Sequence, residues 1–158
     1  MRSLFLMNIL LTLIWAALTG KFEFSNFVFG FILSYGVLWI ITRDTKRASY
    51  FTRVPKVIGF LLFFIKELIK ANIQVAYDVV TIRNYMKPVI IGVPLDAETE
   101  LEITLLANFI TLTPGTLSLD VSDDKKTLYI HAMYVEDKEA FIESVKNGFE
   151  RRLLDILR

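Results

Sequence analysis

Two apolar stretches fill most of the first forty residues, and they decide the solvent in which this chain folds. Residues 4–18 are apolar apart from Asn8 and Thr12, and residues 22–41 form a second run that ends at Arg43. As a helix the first run is about 22 Å long at 1.5 Å per residue. A bilayer's hydrocarbon core is about 30 Å thick, so this helix needs flanking residues, a thinned bilayer or shelter from partner subunits. Asn8, Thr12, Ala16 and Thr19 fall near one face, and Asn8 can hydrogen-bond to a neighbouring helix. In the second run Gly30 and Ser34 are four apart and offer a face for close helix contact. Trp15, Tyr35 and Trp39 suit the membrane interface. The first run leads into Lys21, Phe22 and Glu23 without a small-x-small cleavage site, which predicts a helical hairpin rather than a removable leader.

Charge is divided unevenly behind a net value of +1: residues 1–88 carry +7 and residues 89–158 carry −6. A basic membrane region, residues 1–86, followed by an acidic α+β domain, residues 87–158, is the simplest organisation. The acidic part is a poor nucleic-acid binder. Arg43, Lys46, Arg47, Arg53 and Lys56 cluster after the hairpin, and the positive-inside rule places them in the cytoplasm. Arg2 agrees. Both ends of the hairpin are then inside and residues 21–26 outside.

The third apolar stretch, residues 57–85, admits two readings. It opens with nine mostly apolar residues and then meets Lys66, Glu67, Lys70, Gln74 and Asp78, which share an arc of about 120° at helical spacing. One reading is a third spanning helix with its polar stripe against partners. The other is a helix at the cytoplasmic interface with its apolar face in lipid. A tilted or partial insertion stands between them. Lys66, Lys70, Arg83 and Lys87 would be poorly placed along an exported segment, which favours a cytoplasmic C-terminal domain.

Beyond Lys87-Pro88 the pattern predicts β-α-β-β-α. Residues 89–93 form a short strand stopped by Pro94. Residues 100–105 alternate like a strand, but Leu105, Phe109 and Leu112 have helical spacing, and a helix stopped by Pro114-Gly115 is the better reading. Residues 116–121 and 127–135 form a hairpin. Residues 136–157 form a helix, with Phe141, Val145, Phe149 and Leu153 on one face. Glu136, Asp137 and Glu139 stand at its start and Arg151, Arg152 and Arg158 near its end, in keeping with the helix dipole.

Chemistry is sparse. There is no Cys, and His131 is the only histidine, so no recognisable metal site is present and no cofactor is expected. The segment from Thr111 to Thr116 lacks the second glycine and the Lys-Ser/Thr of a phosphate loop; it reads as a helix stop and turn. Lys66 and Glu67 invite a proton-relay reading, but the same residues describe the polar side of an amphipathic helix, and Glu67 and Lys70 are spaced to pair with each other. Neither apolar run holds an acid between residues 4 and 18 or 27 and 41. A protein carrying Na⁺ or H⁺ across the membrane should show one. No arrangement points to an enzyme.

Four segments taken together resemble the E subunit of Mrp/Mnh-type multisubunit monovalent cation/proton antiporters. They are ITLTPGTL from Ile110 to Leu117, VSDD from Val121 to Asp124, LYIHAM from Leu128 to Met133, and IKELIKAN from Ile65 to Asn72. The resemblance covers most of the chain. It implies a multi-pass subunit of the cell membrane, partnered by large polytopic subunits, in a complex that exports Na⁺ against protons and supports pH homeostasis. It implies no catalytic residue, and only Thr111, Thr113, Pro114, Gly115 and Thr116 as an assembly or structural element. The expected role is accessory: assembly and stability, with the ion path elsewhere. The rival expectation is a stand-alone membrane-anchored interaction or signalling domain.

Overall fold

The computed structural model describes residues 2–42, 49–81 and 86–158. Arg43, Lys46, Arg47 and Arg83, four of the basic residues weighed above, lie outside the described residues. The chain divides into two compact units, Met1–Pro55 and Lys56–Arg158.

The first unit is built on helices α1 (Arg2–Thr19) and α2 (Phe24–Thr42) and the start of α3 (Ser49–Val80). α2 is long and apolar enough to cross a membrane; the apolar part of α1, Leu4–Thr19, is shorter. Gly20 turns the chain between them at φ +65°. Asn26 fastens the turn: its amide accepts from Trp15 Nε1 at 3.0 Å and donates to Thr19 Oγ1 at 2.8 Å and the Lys21 carbonyl at 2.7 Å. Trp15 is thus tied into the hairpin turn. Its ring also explains Gly30, where an added Cβ would lie 2.8 Å from Trp15 Cδ1. Gly30, Ser34 and Leu38 form the buried stripe of α2, so the small-residue spacing marks a real helix contact. Asn8 is fully buried and donates to the Tyr50 hydroxyl at 3.2 Å. Tyr35 stacks near Tyr50 and Phe51, edge to face with the latter at 5.0 Å, so it too is a packing residue.

α3 begins at Ser49, within the stretch read as a connection, and carries Pro55 inside it. Proline has no amide hydrogen to donate, so the turn it joins has one bond fewer.

The second unit holds residues 56–80 of α3 and a three-stranded antiparallel sheet. β1 (Val89–Pro94), α4 (Glu100–Thr111), β2 (Thr116–Val121) and β3 (Thr127–Ala132) follow in that order, with β3 central. Helical spacing prevails over alternation at residues 100–105 because Thr99 starts the helix. The Thr99 side chain accepts from Glu102 N while the Glu102 carboxylate takes Thr99 N, a reciprocal cap.

β3 ends at Ala132, three residues before the predicted boundary. Both neighbours stop opposite that position: Val89, preceded by Pro88, pairs with Ala132 on one side, and Thr116, preceded by the turn, pairs with it on the other. The final helix starts at Lys138, not 136, because the extended Asp137 caps Glu139 N and Ala140 N. It continues as α5 (Lys138–Glu143), a π-helical segment (Ser144–Glu150) and α6 (Arg151–Leu157). A four-residue repeat drifts about 40° per step in an ideal α-helix. The wider π turn counters that drift for Val145, Phe149 and Leu153.

The core lies between one sheet face and the helices. Ile91, Val93, Leu106, Ile110, Leu128, Ile130, Ala132, Val135, Val145 and Leu153 are its buried members, joined by Phe60 of α3. Phe60 and Phe64 meet the Phe109 ring edge-on at 4.7 and 5.2 Å, and Phe63 meets Phe149 at 5.2 Å. Each such aromatic pair adds about 1 kcal/mol beyond its buried area.

Candidate functional site

The α4–β2 connection is a hydrogen-bonded stop. Thr113 N bonds to the Ile110 carbonyl at 3.0 Å, and Thr113 Oγ1 donates to the Phe109 carbonyl at 3.1 Å. Thr116 Oγ1 donates to the carbonyls of Ile110 at 2.6 Å and Thr113 at 2.9 Å. Thr111 Oγ1 accepts from Ser118 N at 3.1 Å, which ties β2 back to the helix. These contacts satisfy carbonyls that a helix end leaves without partners. Gly115 has φ +87°, and a Cβ there would also stand 3.0 Å from the Tyr134 ring. Two constraints therefore meet at Gly115, one of backbone and one of space.

The polar arc of α3 faces the same place. Glu67, Lys70 and Gln74 line a cavity of about 160 Å³ together with Thr113, Pro114, Gly115, Thr116, Tyr134, Phe141 and Phe149. Two groups of residues chosen separately, some forty positions apart in the chain, thus share one hollow. Its chemistry is mixed: threonine hydroxyls and a glutamine at one side, aromatic rings at the other. Among the described residues, Glu67 and Lys70 form no ion pair with each other. Thr111 lies outside it, bonded to Ser118. Lys66 is exposed at the edge of the helix. Asp78 lines a neighbouring concavity with Tyr77, Lys87, Tyr134 and Glu136. Hydrogen bonding to the Asp78 carboxylate raises the Tyr134 hydroxyl above its ordinary range, with burial and the carboxylate's charge adding to it.

Tyr134, Phe141 and Phe149 are the lining residues that sequence reasoning gave no role. The two phenylalanines carried a signal, their place on the apolar stripe of the last helix. Tyr134 carried none beyond lying at the end of a strand.

Charged contacts elsewhere in this unit are structural. Glu150, almost wholly buried, accepts from Asp96 N at 2.7 Å and Ala97 N at 2.9 Å and pairs with Lys146 at 2.6 Å. Glu102 receives Arg158 Nε at 3.1 Å. Arg158, with the amides of Glu98 and Thr99, lowers the Glu102 carboxyl to about 2. No group of three or more His, Asp or Glu side chains able to hold a metal ion occurs among the described residues. His131 sits mid-strand, opposite Ile90 and Leu117 in the two neighbouring strands.

A family model for a Na⁺/H⁺ ion antiporter subunit matches residues 8–156. The E subunit of the Na⁺/H⁺ antiporter of Alkalihalophilus pseudofirmus is 36% identical over 97% of both chains. The corresponding E subunit of Bacillus subtilis is 35% identical over 97% of both chains. Among solved structures, a chain of the Mrp complex from Dietzia sp. aligns with 65% of this chain and 96% of its own length, with TM-score 0.50 and 28% identity. A chain of the membrane-bound sulfane sulfur reductase, an archaeal respiratory membrane complex, aligns over 99% of both at TM-score 0.60 and 28% identity. With relatives above 30% identity along nearly the whole sequence, this membrane protein belongs to the family of Na⁺/H⁺ antiporter E subunits.

Proposed function

We propose that this chain is an accessory subunit of a multisubunit Na⁺/H⁺ antiporter: it assembles with large polytopic subunits and stabilises the complex, and the ion path runs through those partners. The observation that carries the reading is the chemistry of the hairpin. Among the described residues its buried polar side chains are Asn8, Thr12 and Ser34, all neutral, and each can hydrogen-bond but none can exchange a proton near neutral pH. The hollow at the Thr113–Thr116 turn belongs to this role as a shape that fixes the path of the chain. On this reading residues 1–86 are the membrane region, multi-pass with the N-terminus inside, and residues 87–158 are a cytoplasmic domain.

Reconstitution of the single subunit in vesicles tests the role. No Na⁺-dependent proton flux is expected from it; robust flux would refute the accessory reading. For the topology, the absence of cysteine allows Asp123→Cys to be probed in intact cells with an impermeant thiol reagent. No labelling from outside is expected.

A second reading is favoured by the respiratory complex that aligns along the full chain: the same accessory scaffold working in a membrane-bound redox complex. Purification in mild detergent separates the two by what accompanies the subunit, large antiporter-like chains alone or redox-cofactor-bearing chains as well.

A further inference from the structure

The outer face of α3 in the second unit is a continuous apolar surface. From Lys56 onward this helix turns Phe60 and Glu67 toward the sheet domain and points Ile58, Leu62, Ile65, Ile69, Ile73 and Val80 outward, each about half exposed or more. Six aliphatic side chains over six turns form a stripe about 33 Å long at 1.5 Å per residue. Surfaces of this kind are covered in a working protein.

We infer that residues 57–80 of α3 lie along the cytoplasmic surface of the bilayer, with this stripe sunk into the boundary between headgroups and acyl chains. The inference rests on the membrane residence and cytoplasmic domain proposed above, and three observations select lipid surface over the alternatives. The opposite face of the helix is packed against a folded, water-soluble domain: Arg152 lies over the Phe63 ring at 4.7 Å and Lys56 Nζ donates to the Asp155 carbonyl at 3.2 Å. A spanning helix would carry that charged domain into hydrocarbon, where each unpaired charge costs several kcal/mol. Next, the charges on the helix are sorted. Lys66 is exposed, whereas Glu67 and Asp78 are partly buried on the domain side, so the helix offers an ammonium group to anionic headgroups and keeps its acids away from them. Finally, the polar intruder in the stripe, Asn72, donates to the Leu68 carbonyl at 2.7 Å, which reduces the cost of placing an amide near lipid, and the exposed Tyr77 stands at the stripe's edge as interfacial aromatics do.

The test is a depth profile. Single cysteines replace Ile58, Ile65, Ile73 and Val80 in the full chain, a nitroxide is attached, and the protein is placed in phosphatidylethanolamine–phosphatidylglycerol vesicles with its co-purifying subunits. Collision with oxygen and with a water-soluble nickel chelate reports depth. The expected result is one shallow depth, about 5–10 Å, at all four positions, with Gln74→Cys in the aqueous phase. A depth that rises to a maximum at Ile65 and falls again would establish a span and overturn the inference. Low collision with both reagents at all four positions would show a protein partner on the stripe and overturn it equally. Helical circular dichroism checks each variant, and a variant that loses it is replaced by its neighbour on the stripe, Leu62 or Ile69. The profile is read on the chain whether or not partners accompany it, so failure of the subunit reading and failure of this one remain distinct.

Discussion

The hairpin and the sheet domain solve the same problem, burying polar groups, with different chemistry. In the hairpin the contacts are neutral: Asn8 to Tyr50, Trp15 to Asn26, Asn26 to Thr19. In the domain they are ionic: Glu150 with Lys146 and Glu102 with Arg158. On the topology proposed above, the difference follows from the surroundings. A charge in hydrocarbon has no water to fall back on, so a spanning helix is held by neutral amides and close packing. In a domain bathed by water, an ion pair at the edge of the core keeps part of its hydration and fixes one geometry.

The sharpest way to break this contrast is at Glu150. Glu150→Ala leaves the amides of Asp96 and Ala97 without their acceptor and Lys146 short of a partner. The expected loss is about 3 kcal/mol, seen as a fall of roughly 10 °C in the unfolding midpoint of the sheet domain. Hydrogen exchange in α1 and α2 should stay unchanged.

Gly30→Leu applies the reverse test. The new side chain must displace the Trp15 ring, at a cost of about 2 kcal/mol. Trp fluorescence should shift and the hairpin should become protease-sensitive, with the sheet domain unaffected. Equal damage to both regions by either variant would show that the two are not separable.

Glu102 supplies the smallest effect and the one with a pH signature. Its carboxyl lies at about 2, below the ordinary 4.5, because Arg158 and two amides bind the ionised form. The stabilisation is therefore complete above about pH 4.5 and fades as pH falls toward 2. Glu102→Gln should be less stable than the native chain at neutral pH by chemical denaturation, and the gap should close below pH ~4. A gap that widens in acid would mean the carboxyl is not held ionised.

How much of this was legible in the sequence depends on the range of the interaction. Gly30 and Ser34 advertised a helix contact through spacing alone, and α4 was recoverable from the helical spacing of Leu105, Phe109 and Leu112 and the stop at Pro114-Gly115; its local Thr99–Glu102 cap was passed over. The premature end of β3 was not, since it depends on where two other strands stop. Nor was the convergence of Glu67, Lys70 and Gln74 on the Thr113–Thr116 turn. Periodicity places those three on one side of a helix, but which surface that side meets is decided by Phe60, Phe63 and Phe64 packing against residues more than forty positions away. The π-helical turn had a faint signal in the four-residue repeat of Val145, Phe149 and Leu153, whose drift it counters.

The central claim is that this chain supports a transporter without conducting its ions, and Gly115→Val tests it most directly. Valine at φ +87° is strained by more than about 1 kcal/mol, and its Cβ would press on the Tyr134 ring at 3.0 Å. The measurement is the amount of assembled complex in membranes beside Na⁺-driven proton transport per complex. The account predicts that abundance falls several-fold while transport by each remaining complex is preserved. Normal abundance with transport abolished would place the turn in the coupling mechanism and contradict the account.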